Sequence, residues 1–547
     1  MRINFFQCIR LYYHTIKYLK YEQIYWRLFY KFNIFTKIKS IEFAKRTSIG
    51  FWISPIKKKQ SFFSKDTFLF LNQEGKLNEV KWSGIGKDKL WCYNLHYFDD
   101  LNSQSAYNRT EIHTDLIHDW IEKNEVGCDI AWDPYPTSLR SVNFIKWIIE
   151  FNILTPQIKK SLTQHGLWLE KKIEWHILGN HLFANAKALI FLGYFLDGPE
   201  ANRWFKIGCK ILETQIEEQV LEDGGHFERS PMYHSIILED ILDIINLDNL
   251  YEEKISKNLI NFIQKMLSWL EDLSHPDGQI AFFNDSSFDI SSTYEQLFLY
   301  AERLNIVQKK YPIEKVGISL KRYSNTGYIR LNSDKFSAIM DVGHVGPDYQ
   351  PGHAHADTLS FELSVLKERI FVNSGTSTYE NNKLRRLERS TRSHNTVEIN
   401  GLNSTEIWSG FRVAKRANPY NLHTHHMGGK INISCSHDGY HRFMNKTTHS
   451  RSLVFSEKKI SIIDNIYGKF NHAVINYHLH PSVDVVQLLD NKFIIYCSHS
   501  DVELTFIIEN ANGRLEDNFY SPEFGKRIQS KKISIDLIKS NCCVNIC

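Results

Sequence analysis

Apolar residues recur at helical spacing through much of the amino-terminal half of the chain. Between about residues 115 and 305 they fall at positions i, i+3, i+4 and i+7, in segments separated by short polar turns. The segments cover residues 139–151, 158–173, 185–195, 201–219, 235–245 and 254–273. Consecutive helices of this length with short links predict helical hairpins that stack into a bundle or a toroid.

Strand-like alternation replaces the helical spacing beyond about residue 316. Apolar and polar residues alternate over 326–331, 336–341, 359–366, 431–436, 452–455, 459–465, 473–479 and 492–497. Short strands at such intervals, with turns such as Asn400-Gly401, predict an antiparallel β-sandwich. We therefore predict three parts: a helical arm and linker at residues 1–90, a helical domain at 91–312 and a β-sandwich domain at 313–547.

The arm contains a basic, aromatic-rich helix at residues 12–32, which carries Lys17, Lys20, Arg27 and Lys31. This pattern fits either a peripheral contact with an anionic membrane surface or an arm that packs on the main body. No secretory signal and no apolar stretch of about 18 residues is visible. The sequence thus predicts a protein of the cytoplasm or the inner-membrane surface, with the periplasm as the alternative. Nine scattered cysteines without a CxxC pair agree with a reducing compartment.

Composition narrows the function classes. The 547 residues are 42% hydrophobic and 23% charged, which is typical of a soluble globular protein with two or three domains. A net charge of +4 is too small to indicate a nucleic-acid binder, and no nucleic-acid partner is predicted. Five basic residues against one acid lie between Lys383 and Arg392. That run either attracts an anionic polymer, with Arg389 and Arg392 as binding candidates, or forms a solvated loop.

Two histidines stand out within Pro351-Gly352-His353-Ala354-His355-Ala356-Asp357. The surrounding residues indicate strands, and side chains at i and i+2 share one face of a strand, so we expect His353 and His355 to point the same way. With His394 from a later segment they could hold a divalent metal or supply a base. A chance pair of polar strand residues, in a chain with 24 histidines, is the alternative.

Polar clusters in the helical half suggest a second wall of a site. Asn180 and His181 fall in a predicted break between helices, where Asn180 could equally be a helix cap. A loop before the next helix gathers acid, base and phenol groups, namely His226, Glu228, Arg229 and Tyr233. Two aromatic-rich stretches resemble sugar-binding walls, or alternatively caps and turns, and contain His96, Tyr97, Trp132, Tyr135 and Arg140.

These motifs, in this order, resemble the heparinase II/III family of polysaccharide lyases. They are Asn-Leu-His-Tyr, Trp-Asp-Pro-Tyr-Pro, Gly-Asn-His, Asp-Gly-Gly-His-Phe-Glu-Arg-Ser-Pro-Met-Tyr-His, Gly-His-Ala-His-Ala-Asp and Arg-Ser-His-Asn-Thr-Val. The resemblance covers about residues 90–480. It implies an N-terminal incomplete (α/α) toroid followed by a C-terminal antiparallel β-sandwich, with the site in the cleft between them. It also implies β-elimination of an anionic, uronic-acid-containing polysaccharide.

The resemblance suggests roles for individual residues. Elimination needs a neutralised carboxylate, a base for the C5 proton and an acid for the departing oxygen. Asn180 and His181 suit the first task. Tyr233 matches the family's acid, with a further role as base left open, and His353 matches a histidine that assists across the cleft.

A zinc ion is the cofactor that the resemblance implies, with His355, Asn373 and His394 at the ligand positions. Asn373 stands where an acid is expected, and an amide is a poorer zinc ligand than a carboxylate. A purely hydrogen-bonded cluster is therefore the competing prediction.

Two other functions compete with the lyase. One is a catalytically weak glycan-binding protein. The other is a glycoside hydrolase that uses two of Asp133, Asp223 and Glu228. Without a secretory signal, the chain resembles family members associated with bacterial surface polysaccharide, such as capsule or O-antigen.

Overall fold

The computed structural model describes residues 5–32, 43–64, 66–251, 255–308, 317–498, 500–537 and 539–547. The amino-terminal region is helical and the carboxy-terminal region consists of antiparallel sheets. The α-helices are α1 Phe5–Ile16, α2 Tyr21–Phe32, α3 Leu77–Val80, α4 Lys89–Tyr97, α5 Thr110–Lys123, α6 Pro134–Phe151, α7 Pro156–Lys172, α8 Gly179–Phe195, α9 Pro199–Gln219, α10 Pro231–Tyr251, α11 Ser256–Asp272, α12 Tyr294–Arg303 and α13 Lys383–Glu388. The predicted boundary at residues 312–313 lies outside the described residues.

Short strands accompany the helical region, and longer ones form the rest of the chain. The first five are β1 Ala44–Lys45, β2 Phe62–Phe63, β3 Thr67–Phe70, β4 Gln73–Lys76 and β5 Leu196–Asp197. The others are β6 Ser319–Tyr323, β7 Tyr328–Asn332, β8 Phe336–Asp341, β9 Phe361–Val365, β10 Glu368–Phe371, β11 Val397–Ile399, β12 Ile407–Trp408, β13 Arg412–Val413, β14 Pro419–Met427, β15 Lys430–Tyr440, β16 Thr447–Phe455, β17 Ile460–Tyr467, β18 Ala473–His478, β19 Val483–Leu489, β20 Lys492–Cys497, β21 Glu503–Glu509, β22 Asn512–Tyr520, β23 Ile528–Asp536 and β24 Asn541–Ile546.

Local sequence signals explain where several helices begin. Proline occupies the first turn of α6, α7 and α9, where its missing N–H costs nothing. Thr155 caps α7 by accepting from the Ile158 N–H. Thr293 and Gln296 form a reciprocal capping box at the start of α12.

The central helices are buried almost all round, whereas the outer ones are amphipathic. Every described residue of α8 except His181 is buried, and α8 packs against α6, α9 and α10. The amphipathic spacing of α9 turns Trp204, Ile211 and Leu212 inward. The helical core therefore surrounds α8, whose first turn leads into the site.

Three large sheets enclose a second core. Their strand orders are β10-β9-β8-β7-β6, β11-β18-β23-β22 and β14-β15-β16-β17-β24-β21-β20-β19. All three contribute apolar side chains to one cluster, which includes Ile329, Phe371, Ile475, Phe506 and Val544. In β16 and β17 buried and partly exposed residues alternate strictly, as the sequence predicts for a strand with one buried face.

The two amino-terminal helices bridge the helical and sheet regions. On α1, Arg10 forms an ion pair with Glu406, and Thr15 donates to the Val413 carbonyl at 3.1 Å. On α2, Tyr30 donates to the Ile173 carbonyl at 2.6 Å. The inner faces of α1 and α2 therefore pack on the body of the protein. Among the described helices, none has the length and apolarity needed to cross a bilayer.

Candidate active site

The first turn of α8 forms the helical wall of the site. The sequence predicts Asn180 and His181 in a break before a helix at residue 185, but the helix already begins at Gly179, so that prediction is wrong. Leu178 and Gly179 both have positive φ, at 67° and 57°, and the connection between α7 and α8 is made by residues 173–178, earlier in the chain than predicted. A Cβ on Gly179 would lie 2.0 Å from the Gln350 side-chain oxygen, and the positive φ is one that L side chains rarely adopt, so both favour glycine there.

The surroundings of His181 favour its positively charged form. Its Nδ1 lies 2.9 Å from Glu174 Oε1, and its ring packs on Tyr135 with 4.4 Å between centroids. Burial opposes protonation, but the carboxylate of Glu174 outweighs it and raises the pKa of His181 above its ordinary value. The geometry thus favours an imidazolium at the edge of the site.

Tyr233 lies in the first turn of α10 and is almost fully buried. Its N–H donates to Ser230 Oγ at 3.2 Å, and Ser230 Oγ donates to the Asp285 carbonyl at 2.6 Å. The Tyr233 hydroxyl lies 3.1 Å from the hydroxyl of Tyr379. Burial, and then Tyr379, raise the pKa of Tyr233 well above its ordinary value, so the phenol is neutral and can donate a proton.

His353 and His355 converge on a single carboxylate, that of Asp285. His353 Nδ1 lies 2.8 Å from Asp285 Oδ2, and His355 Nε2 lies 2.9 Å from Asp285 Oδ1. Neither histidine is in a strand, because residues 351–359 form turns and irregular backbone before β9. The two imidazoles therefore share a side as predicted, but the shared carboxylate aligns them and strand geometry does not.

Asp285 is fully buried and ionised. Burial opposes its charge, but Arg385 and the two histidines hold the pKa of Asp285 well below its ordinary value. Arg385 donates through both terminal nitrogens, and the Nη2 contact is 2.6 Å long. Because Asp285 accepts from His353 Nδ1, the proton of a neutral His353 sits on Nδ1 and leaves Nε2 free as a base.

Glu228 joins the two walls. Its Oε1 accepts from the Asn180 N–H at 3.3 Å, and its Oε2 lies 3.7 Å from His353 Nε2. Burial raises the pKa of Glu228, against the opposing influence of His353 and the Asn180 N–H. Asn180 and His353 both lie beside Glu228, and the ring centroids of Tyr233 and His353 are 4.0 Å apart. The four predicted catalytic residues thus border one region of the molecule.

The predicted substrate-binding residues lie in several different surroundings. Tyr97 and Tyr135 pack edge to face at 6.0 Å on the same wall as His181. In contrast, five predicted residues are only 0–2% exposed and have their polar groups turned into the protein: His96, Trp132, Arg140, His226 and Arg389. For these five the structure corrects the prediction.

The buried residues support backbone and loops instead. Arg140 donates to the His96 and Ala131 carbonyls and lies 3.9 Å from the Trp120 ring. Arg389 donates to the Ala354 carbonyl at 2.8 Å, which fixes the turn between the two histidines. His226 contacts Gln219 Oε1 at 2.9 Å.

Two predicted arginines lie in other surroundings. Arg229 takes a positive φ of 59°, and its guanidinium donates to the Asn325 carbonyl. Arg392 is half exposed and lies 3.6 Å from Glu398. Neither forms a described contact with the Asn180–Tyr233–His353 group.

Two family-model matches decide the identity of this fold. Residues 103–308 match the model described as heparinase II/III N-terminus, and residues 316–546 match heparinase II/III-like, C-terminal. The chain belongs to the heparinase II/III family. Asp285 and Tyr379 lie outside the motifs and were not singled out from the sequence, since each lies far along the chain from its partners.

Two relatives of similar sequence agree with this assignment. A heparin-sulfate lyase of Bacteroides stercoris is 24% identical over 385 residues, which are 66% of this chain and 55% of that protein. One from Pedobacter heparinus is 25% identical over 364 residues, which are 60% of this chain and 53% of that protein. The chain thus spans about half the length of these relatives.

Solved structures resemble the fold as well. A crystal structure of heparinase III has a TM-score of 0.68 at 18% identity and covers 84% of this chain and 76% of its own. A Streptomyces coelicolor A3 chondroitin AC lyase in complex with chondroitin sulphate has a TM-score of 0.54 at 9% identity, covering 86% of this chain and 75% of its own.

The zinc position that the family implies does not fit three converging ligands. His355 Nδ1 faces His394 Nε2 at 3.3 Å, but the Asn373 amide oxygen lies 3.0 Å from the opposite nitrogen of His394. Only two donors therefore point at one place, and no group of three or more His, Cys, Asp or Glu suited to a metal is found in the described part of the chain. Burial lowers the pKa of His355 to about 4, so its ring is neutral in this cluster.

Proposed function

We propose that this protein is a polysaccharide lyase that cleaves a uronic-acid-containing glycan by β-elimination. The observation that carries the proposal is the meeting of three groups: the neutral phenol of Tyr233, the Asp285-oriented His353 and the Asn180–His181 turn. These supply an acid, a base and a set of donors for a carboxylate. The names of the relatives, heparin-sulfate lyases, support a glycosaminoglycan-like substrate.

The chemistry can be assigned to named atoms. His353 Nε2 takes the C5 proton, the C4–O4 bond breaks as the C4–C5 double bond forms, and the Tyr233 hydroxyl gives its proton to the departing oxygen. Asp285 stabilises the imidazolium that His353 becomes. The raised pKa of Tyr233 supports its assignment as acid rather than as an ionised base.

Charge on the substrate carboxylate has to be neutralised before the C5 proton becomes acidic. Asn180 can donate an amide hydrogen, and His181, whose pKa is raised by Glu174 against the effect of burial, can donate from its ring. Donors placed in a buried site stabilise the developing enolate more strongly than they would in water.

The finer architecture belongs to the same proposal. We assign the helices to an incomplete (α/α) toroid and the sheets to a β-sandwich, with the cleft between them as the glycan groove. The similarity to heparinase III at a TM-score of 0.68 supports this arrangement. We assign the natural substrate to bacterial surface polysaccharide, which assays with the producer's own surface glycan would test.

The test of the function is an ultraviolet scan of purified protein against a panel of uronate polysaccharides. Absorbance from a 4,5-unsaturated uronate would establish elimination. New reducing ends without that absorbance, lost in Glu228→Gln but kept in Tyr233→Phe, would instead establish hydrolysis. Glycan binding without either product would identify a binding protein.

A further inference from the structure

The outer faces of α1 and α2 are unusually apolar for a surface. Of the 33 exposed large apolar side chains in the described residues, 11 lie in these two helices. Phe5, Phe6 and Tyr21 are 74%, 81% and 82% exposed. Water-exposed apolar groups at this density mark a surface that binds something.

Positive charge is also concentrated in these two helices. Residues 5–32 contain five basic residues, Arg10, Lys17, Lys20, Arg27 and Lys31, and one acid, Glu22, which gives a formal charge of +4. That equals the formal charge of the whole chain. Lys17, Arg27 and Lys31 are exposed, whereas Arg10 and Lys20 turn inward to Glu406 and Glu218.

The inner contacts hold α1 and α2 on the body. Tyr12 packs on Trp408 at 4.9 Å, and Lys20 lies 4.1 Å above the Tyr349 ring. Gln23 is buried and reaches the Ile177 carbonyl at 3.4 Å. Each helix is thus anchored on one side, and within the described residues it exposes aromatic and basic groups on the other.

We propose that the outer face of α1 and α2 docks on an anionic lipid surface. Phe, Ile and Leu side chains have no groups that hydrogen-bond to a glycan, but they insert favourably at the boundary of headgroups and acyl chains. Tyrosines suit the same interface, and lysines are attracted to anionic headgroups. Two copies of these faces would oppose each other, because each presents the exposed cations Lys17, Arg27 and Lys31.

The inward contacts set the orientation. Twelve residues of α-helix span about 18 Å, less than the roughly 30 Å hydrocarbon thickness of a bilayer. The described parts of α1 and α2 have 12 residues each, and both are held to the body, through Thr15 and Tyr30. The proposal therefore places them along the membrane surface, with the helical and sheet regions outside the bilayer.

The experiment uses the full chain and sedimentation with vesicles. One set is pure phosphatidylcholine and the other contains phosphatidylglycerol as well. Phe5→Ser/Phe6→Ser removes two inserted groups, and Lys17→Glu/Lys31→Glu reverses two charges. Leu488→Ser/Leu489→Ser is the matched control, because these leucines are also exposed apolar residues but lie near the β19–β20 turn.

We expect binding to the phosphatidylglycerol vesicles that weakens with salt. Each lysine near such a surface contributes about fivefold in affinity, so the lysine variant should bind at least tenfold more weakly. The phenylalanine variant should lose binding, while the leucine control retains it, and all should unfold at similar temperatures.

Three results would overturn the proposal. They are no sedimentation with either vesicle type, equal binding by the phenylalanine variant and the control, and a dimer in light scattering that the phenylalanine variant dissociates. The last would assign the face to self-association. None of these results depends on whether the protein is a lyase.

Discussion

Replacing Tyr233 with phenylalanine removes one oxygen atom and tests the proposed acid directly. The hydroxyl has one described hydrogen-bond partner, the hydroxyl of Tyr379 at 3.1 Å. Losing that contact between buried neutral groups should cost about 1–3 kcal/mol of stability. Losing a general acid should lower the rate about 10²–10⁴-fold. At 1.36 kcal/mol per tenfold, that is about 2.7–5.4 kcal/mol in the transition state.

Tyr379→Phe is the matched control, because it removes the other half of the same hydrogen bond. Both variants should lose similar stability in urea unfolding. Only Tyr233→Phe should lose the greater part of kcat/KM in the unsaturated-uronate assay, while Tyr379→Phe stays within about tenfold of the wild type. If folded Tyr233→Phe also stays within about tenfold, Tyr233 is not the acid and the assignment fails.

Three further predictions address charge, burial and metal. The pKa of His181 is raised in the folded protein by Glu174. The stabilisation from this pair should therefore be fully present below about pH 6.5 and be lost as pH rises through the raised pKa. If the unfolding free energies of wild type and His181→Gln in urea differ by the same amount from pH 5 to 9, this expectation is wrong. Arg140→Ala should destabilise the protein by about 3–5 kcal/mol through lost hydrogen bonds and ring contact, and a change in substrate affinity at unchanged stability would return Arg140 to the binding surface. Protein dialysed after exposure to zinc should hold much less than one ion per chain, and Asn373→Asp should hold more by elemental analysis; a stoichiometric ion in the wild type would restore the metal site.

Some predictions succeeded because they depend on local spacing. Each of the six helical segments predicted between residues 139 and 273 overlaps a helix, although residue 254 lies outside the described residues. The single helix predicted at residues 12–32 was wrong, because α1 ends at Ile16 and α2 begins at Tyr21. All eight predicted strand segments coincide with β7–β9, β15–β18 and β20. β14 was missed because it is an edge strand whose residues are largely exposed, and its sequence shows no apolar alternation.

Errors within the site also have physical causes. Helix α8 begins six residues before its predicted start, because the backbone reverses at Leu178 and Gly179, whose φ angles are positive, and the connection lies at residues 173–178. Arg140 and Arg389 looked suited to an anionic substrate, but burial turned both toward backbone carbonyls. The sequence alone does not indicate whether a basic side chain will be buried or will face the solvent.

The sequence by itself determined the family and the order of helical and sheet regions, and it led to the prediction that Asn180, His181, Tyr233 and His353 form the site. Periodicity and motif order can be recognised in the sequence without knowledge of the fold. Only the tertiary structure placed Asp285 between His353 and His355, and Tyr379 against Tyr233. Those partners are 68, 70 and 146 residues apart in the chain. Their meeting is set by how the helical and sheet regions pack together, and no local pattern records that packing.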